Sequence, residues 1–396
     1  MRRISSRSTG WFGGAATVAL VAVLACSAAT VSAATAKVTP KTGLIAVEGP
    51  MSGEQSATGI DMARGAQLAV NQINAAGGVD GVKLTLIKAD DAATAAGGLR
   101  AAKKVIAARA FGVIGPFNSS VGIANLPVYK KAGLPVVRLT SSVKTEGFGA
   151  TTQPMDSQVA PVEVNEITQV LHASRPAIIY DNSTYTAGIA KQVASGLTKA
   201  GDAPVGQVSV TSTQKSYTAA LQKLAASHPG LLYIAAYGTE AGKIALAAST
   251  MSLGTCFVDL AAQGSDFVTA ATQPVAAHCL SSGVPSAEQF TGAAQYVSDY
   301  QAAYHTDPGT WGTFTYDSVE ILAHAITQSG WKQKAVTTSL LNTTGYDGIT
   351  GPITINPSTG NRVQSTVVML DVNASGDYVI DPTWAAAADF PLPTGS

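Results

Sequence analysis

Charge is scarce in this chain. Asp, Glu, Lys and Arg make up 13% of it and cancel to a net charge of +0, so an electrostatic partner is not implied. No basic run and no interleaving of basic with aromatic residues occurs, and a nucleic-acid surface is not expected. Histidine is sparse: His172, His228, His278, His305 and His324 stand apart, with no i, i+4 pair, and no Cys/His group has zinc spacing. G-x-S-x-G and the P-loop pattern are both missing. With no nucleophile–base pair, metal set or nucleotide loop legible, neither catalysis, a metal nor a cofactor is expected. Aromatics are only 6%, so a Tyr or Trp that falls in a loop stands out.

The amino-terminal residues carry an export pattern. Arg2, Arg3 and Arg7 precede an uncharged run from Ser8 to Val31 whose apolar centre is Ala15–Ala25. That centre is about a dozen residues, the size of a secretory core and short for a membrane span. Residues 1–36 are therefore read as a signal peptide. Two processing routes stand. Val31-Ser32-Ala33 and Ala34-Thr35-Ala36 are small-x-small cleavage sites that would release a secreted or periplasmic protein. Ala22-Val23-Leu24-Ala25-Cys26 resembles a bacterial lipobox, which would lipidate Cys26 and anchor the protein at the cell surface. If Cys26 carries lipid, Cys256 and Cys279 remain as an even pair in an oxidising setting. They open two successive expected strands, so a disulfide between neighbouring strands and two inert thiols both stay open.

Beyond the leader the chain alternates strand and helix. Strands are expected at Leu44–Val47, Val82–Lys88, Gly112–Ile114 and Pro135–Leu139, then at Ala177–Tyr180, Val205–Val210, Leu231–Ala235, Phe257–Leu260 and Leu280–Gly283. Helices fall between them, at Asp61–Ala75, Thr94–Arg109, Val121–Lys131, Ala187–Ala200, Tyr217–Ser227, Thr239–Met251 and Asp266–Thr272. Such alternation means parallel sheets covered by helices on both faces. Val143–Val162 breaks the rhythm, and roughly 360 mature residues suit two cores better than one. After Pro285 the pattern turns to helices at Ala287–Tyr304, Tyr316–Ser329 and Lys332–Leu341, with short strands near Pro352–Ile355 and Thr366–Val372.

The stretch IAVEGPMSGEQSATGIDMARGAQLAVNQINAAGG, Ile45–Gly78, is the most informative. A short apolar strand runs into a small-residue loop, then into a helix with Ala66, Ala69, Val70 and Ile73 on one stripe. A strand that ends in such a loop at a helix start exposes free backbone N–H groups, where small ligands are held. This opening, with several loops that follow in order, resembles the leucine/isoleucine/valine-binding family of extracellular solute-binding proteins that serve ABC importers. The resemblance spans about residues 41–385. It implies an α/β fold of two doubly wound parallel-sheet lobes joined by a three-strand hinge, the type I periplasmic-binding architecture. It also implies crossovers near Met155, Pro285 and Val363. Lobe 1 is then 40–155 plus 286–362, and lobe 2 is 156–285 plus 363–388. A monomer is expected, which closes on a small ligand and docks on a membrane permease.

Four loops at strand ends are candidate ligand contacts. In Gly115-Pro116-Phe117-Asn118-Ser119-Ser120, Ser119 and Ser120 suit helix caps and also an anion; the resemblance puts Ser119 at a ligand-binding serine. In Leu139-Thr140-Ser141-Ser142, Ser141 and Ser142 match the family's carboxylate-binding positions. Tyr185, in Tyr180–Gly188, resembles the family's ligand-covering tyrosine, although an aromatic at a helix start is also a common packing residue. Tyr237 follows the LLYIA strand, and the nearby Glu240 suits a helix first turn. The family's usual acid for a ligand ammonium falls on Ala261, for which Asp266 or Asp259 could substitute; Asp266 also reads as a plain helix cap. The ligand implied is an amino acid above all, or a related carboxylate that lacks the amine. A sensor of the same fold uncoupled from uptake, an enzyme, and a scaffold with a self-filled cleft are the competing readings.

Overall fold

The computed structural model describes residues 43–212 and 214–390. The expected signal peptide and the Cys26 lipidation site lie outside the described residues.

The first sheet holds β1 (Gly43–Gly49), β2 (Leu84–Asp90), β3 (Gly112–Ile114), β4 (Val136–Arg138) and β5 (Ala150–Thr151) in the order β2-β1-β3-β4-β5. All its pairings are parallel. Covered on both faces, β1 reads as a near-continuous apolar run, with Ile45, Ala46 and Val47 buried. Its helices are α1 (Ser56–Ala75), α2 (Ala95–Ala107) and α3 (Ser119–Lys131). Helix α1 starts five residues before the expected Asp61, because Ser56–Gly59 are small or polar and Ile60 faces outward, so this turn carries no apolar period. The unpatterned stretch after Val143 contains the two-residue β5 and the start of α4 (Asp156–Asn165). An edge strand of two residues is too short to show alternation.

The second sheet is built from β6 (Pro176–Asp181), β7 (Gly206–Val210), β8 (Leu231–Ala235), β9 (Thr255–Val258) and β10 (Cys279–Gly283), all parallel. Its helices are α5 (Thr184–Lys199), α6 (Thr218–Ala225), α7 (Gly238–Ala248), α8 (Ser265–Ala271) and the short α9 (Gln273–Ala276). A disulfide joins Cys256 to Cys279 at directly paired positions of β9 and β10, with a Cα separation of 4.5 Å.

The chain then returns to the first sheet. The expected helix Ala287–Tyr304 is instead a short turn at Ala287–Gln289 followed by α10 (Ala294–Tyr304), because Gly292 and its neighbours interrupt it. Next come α11 (Thr310–Ser329) and α12 (Gln333–Leu341). Helix α11 packs along α1, and a Cβ on Gly65 would lie 2.1 Å from the Gly312 carbonyl oxygen, so only glycine permits this approach. The buried Asp61 locks the pair. It accepts N–H bonds from Gly309 (2.9 Å) and Gly312 (2.6 Å) at the start of α11, and the Tyr300 hydroxyl (3.0 Å). After the hairpin β11 (Tyr346–Gly348) and β12 (Gly351–Ile353), β13 (Val368–Val372) and β14 (Tyr378–Ile380) join the second sheet antiparallel, beyond β10. That sheet is thus mixed at one edge, because its last two strands arrive as a hairpin. Helix α13 (Pro382–Ala387) ends the described chain.

Three passages link the sheets, through 152–155, 284–293 and 354–367. Two buried arginines bind the first passage to the third. Arg362 donates to the Thr152 carbonyl (3.0 Å) and to those of Thr350 and Pro352 (2.9 Å each). Arg138, at the end of β4, donates to Asn361 Oδ1 at 2.6 Å.

Candidate functional site

Loops at the carboxyl ends of both parallel sheets face one another, the position at which open α/β sheets hold ligands. On the first lobe, β3 runs through Gly115 into Phe117, Asn118 and the start of α3. Ser119 opens that helix, and its Oγ accepts the Ser142 N–H at 3.2 Å. Ser141 lies beside it, donating to the Pro154 carbonyl (2.8 Å) and accepting from Gln153 Nε2 (2.7 Å). The other two candidate serines face elsewhere. Ser120 Oγ accepts the Thr184 N–H at 2.9 Å, which ties α3 to α5 across the cleft. Ser142 Oγ caps the turn that follows it, through the Lys144 N–H at 3.4 Å.

From the second lobe, Tyr185 occupies the second position of α5 and donates its hydroxyl to Asp259 Oδ2 at 3.2 Å. Tyr237 precedes α7, and its ring meets Phe117 edge-on across the cleft, 6.3 Å between centroids. Leu260 and Ala261 follow β9 in a short turn. Asp266 does not join them: its carboxylate sits against Gly238 and accepts the N–H groups of Phe267 (3.1 Å) and Thr239. The acid and the helix start are both real, but the side chain serves the backbone of α7.

Ser119, Ser141, Tyr185 and Tyr237 line one cavity, together with Phe117, Leu139, Gln153, Leu260, Ala261 and Trp311. It encloses 20 Å³, about the room one water needs, so the lobes are closed on each other. A larger hollow of 430 Å³ at Phe111, Trp331 and Arg109 lies at the amino ends of β1, β3 and β4, away from these loops. Four of the ten cavity residues are aromatic, in a chain where aromatics are 6%. Phe117, Gln153 and Trp311 were not singled out from the sequence. Trp311 stood before the expected helix start at Tyr316, and Gln153 stood in the unpatterned break; only Phe117 stood in a loop already marked by its place after a strand.

No carboxylate lines the cavity. Acids lie behind it. Burial, then the nearby Glu163, raise Asp259 well above the usual carboxyl range, and burial pushes Glu163 up to about 7. Glu163 accepts the Tyr233 hydroxyl (2.8 Å) and the Ser282 hydroxyl (2.6 Å). Nearer the rim, burial and then Asp181 push Glu240 up to about 7. Burial raises each of them first, and no cation stands among their neighbours to repay the desolvation. At the mouth, Lys243 of α7 pairs with Glu54 of the first lobe at 3.0 Å. Among the described residues no His, Cys, Asp or Glu cluster is arranged to hold a metal ion, and no helix is long and apolar enough to cross a membrane.

Two α/β lobes, three passages between them and a cavity at the carboxyl ends of both sheets define a two-lobed solute-binding fold. The periplasmic binding protein family profile matches residues 44–377, and the chain belongs to that family. It is 25% identical over 315 residues to the Leu/Ile/Val-binding protein of Escherichia coli strain K12, covering 78% of this chain and 85% of that one. An amino acid binding protein of Pseudomonas aeruginosa is 32% identical over 207 residues, 51% of this chain and little more than half (55%) of that protein. Among solved structures, a leucine-binding protein of Thermotoga maritima superposes with a TM-score of 0.79 at 22% identity, covering 86% of this chain and 99% of that chain.

Proposed function

We propose that this chain is the exported solute-binding component of an ABC importer and captures a small carboxylate-bearing solute between its lobes. The lobe boundaries drawn from the sequence are kept. The observation that carries the reading is the meeting of Ser119 and Ser141 from one lobe with Tyr185 and Tyr237 from the other on a single cavity wall. A carboxylate suits the amino end of α3, where the Ser119 hydroxyl and helix N–H groups favour an anion. The cavity is too small for such a solute as it stands, so the lobes part to admit it and close again, a hinge motion about the three passages. The closed monomer then presents a surface to a membrane permease; no bond is made or broken.

Branched-chain relatives favour an amino acid as cargo. The absence of an acid on the wall favours a second reading, a carboxylate without an α-amine. Titration calorimetry on Lys37–Ser396 tests the shared part. Leucine, phenylalanine, 4-methylpentanoate and 3-phenylpropanoate are compared with their primary amides. Binding of at least one acid with loss of binding by its amide is expected. Equal binding of acids and amides overturns the carboxylate reading.

A further inference from the structure

Resting on the carboxylate reading above, two features of the cavity wall narrow the solute further. The first is the chemistry at the position next to the carboxylate. No carboxylate lines the cavity, and Asp259, behind Ala261, is engaged by the Tyr185 hydroxyl and the Ala261 N–H. A buried ammonium there would have no opposite charge, a costly state in a closed cleft. The second is Gln153, 1% exposed and part of the wall. Its Nε2 donates to the Leu139 carbonyl and to Ser141 Oγ, and because a carbonyl can only accept, this fixes which end of the amide is nitrogen. Its Oε1 is buried with no partner. Among the described residues with an unpartnered buried side-chain atom, Gln153 is the one on the cavity wall, where a solute can supply the missing donor. An amide oxygen accepts a hydrogen bond without supplying the charge an ammonium needs.

The amide abuts Ser141, which stands beside the carboxylate-binding Ser119, so the awaited donor belongs on the carbon next to the carboxyl group. We propose that the cleft selects 2-hydroxy carboxylates, with the hydroxyl donating to Gln153 Oε1 and an apolar side chain packed against Phe117, Trp311 and Tyr237. Such a cargo matches the wall group by group: the Ser119 hydroxyl and the first N–H groups of α3 for the carboxylate, a neutral acceptor for the hydroxyl, and aromatic faces for the rest.

Matched triads test this on the same Lys37–Ser396 protein by titration calorimetry: leucine, 2-hydroxy-4-methylpentanoate and 4-methylpentanoate, with phenylalanine, phenyllactate and 3-phenylpropanoate beside them. In at least one triad the hydroxy acid is expected to bind about tenfold or more tighter than both its amino and its unsubstituted counterparts. Ala261→Asp, which leaves Gln153 untouched, is expected to move the preference to the amino acid by a similar factor. Gln153→Met is expected to abolish the difference between hydroxy and unsubstituted acids. Tighter binding of the amino acid by the unaltered protein overturns the inference and leaves carboxylate capture intact. Equal binding of hydroxy and unsubstituted acids also overturns it. Silence from all six compounds overturns it too.

Discussion

The first lobe and the first passage meet the cavity with Ser119, Ser141 and Gln153 beside the apolar Phe117, Leu139 and Trp311, whereas the second lobe meets it with Tyr185, Tyr237, Leu260 and Ala261. Every polar group on the second wall is already engaged: the Tyr185 hydroxyl by Asp259, and the Tyr237 hydroxyl by Asn118 and Ser183. The unpartnered Gln153 oxygen stands on the first side. The asymmetry divides the work. On the proposed reading the first lobe would hold the polar end of the solute through Ser119 and Gln153, and the second would close over it and exclude water. Contacts that grip should therefore control affinity, and contacts that cover should control closure and stability.

Removing a grip gives the largest effect. Ser119→Ala is expected to weaken binding of the best-bound acid about 10–100-fold, the range for a lost hydrogen bond to a charged group. The ligand-free protein should lose only about 1 kcal/mol, for the Ser142 N–H left without its acceptor, which calorimetry and thermal unfolding together will read. A loss of stability with affinity unchanged would place Ser119 in the scaffold instead.

Next comes the acid cluster behind the covering wall. Glu163 is raised to about 7 in the folded protein, so between about pH 4.5 and 7 the folded state holds a proton that the unfolded chain has released. Stability is then greatest at the acid end of that window and falls as pH rises through it, by on the order of 1–3 kcal/mol for this one site. Urea unfolding at pH 5 and pH 7 measures the slope. Glu163→Gln should flatten it, and an unchanged slope would assign the pH dependence to other buried acids, such as Glu48.

Tyr185→Phe keeps the covering ring and removes one donor from Asp259. A loss of about 1 kcal/mol in stability is expected, with affinity changed less than threefold or so. A large affinity loss would mean that Tyr185 grips rather than covers. Smallest of all is Lys243→Ala at the exposed mouth. The Glu54–Lys243 pair is worth at most about 1 kcal/mol, and its contribution should vanish at 1 M salt.

Much of the site was legible because strand, loop and helix succeed one another with short connections. That order places Ser119, Ser141, Tyr185 and Tyr237 at strand ends whatever the rest of the chain does. Ser120 and Ser142 share the same loops and the same chemistry; only their orientation, set by Thr184 and Lys144, separates them from their neighbours. Asp266 failed as a site residue for a similar reason. An acid at a helix start suits a ligand and a backbone equally, and the nearness of Gly238 decides. Gln153 was hidden more deeply, in a passage between sheets that has no period to read. The return of α10 and α11 to the first lobe was implied by the family resemblance and not by local pattern, in which a carboxylate 248 residues from its Gly309 partner leaves no mark.

The arginine ties between the passages bear on how the motion could be watched. Because Arg362 fastens Thr152 to Thr350 and Pro352, and Arg138 fastens β4 to Asn361, those segments travel as one rigid body. If the lobes close as proposed, the torsional change would fall just beyond them, around 154–156 and 363–367. Val363 lies at that boundary with 56% of its surface exposed. A dye attached there would sit outside the cavity yet beside the pivot, and its brightness would report occupancy without touching the cargo.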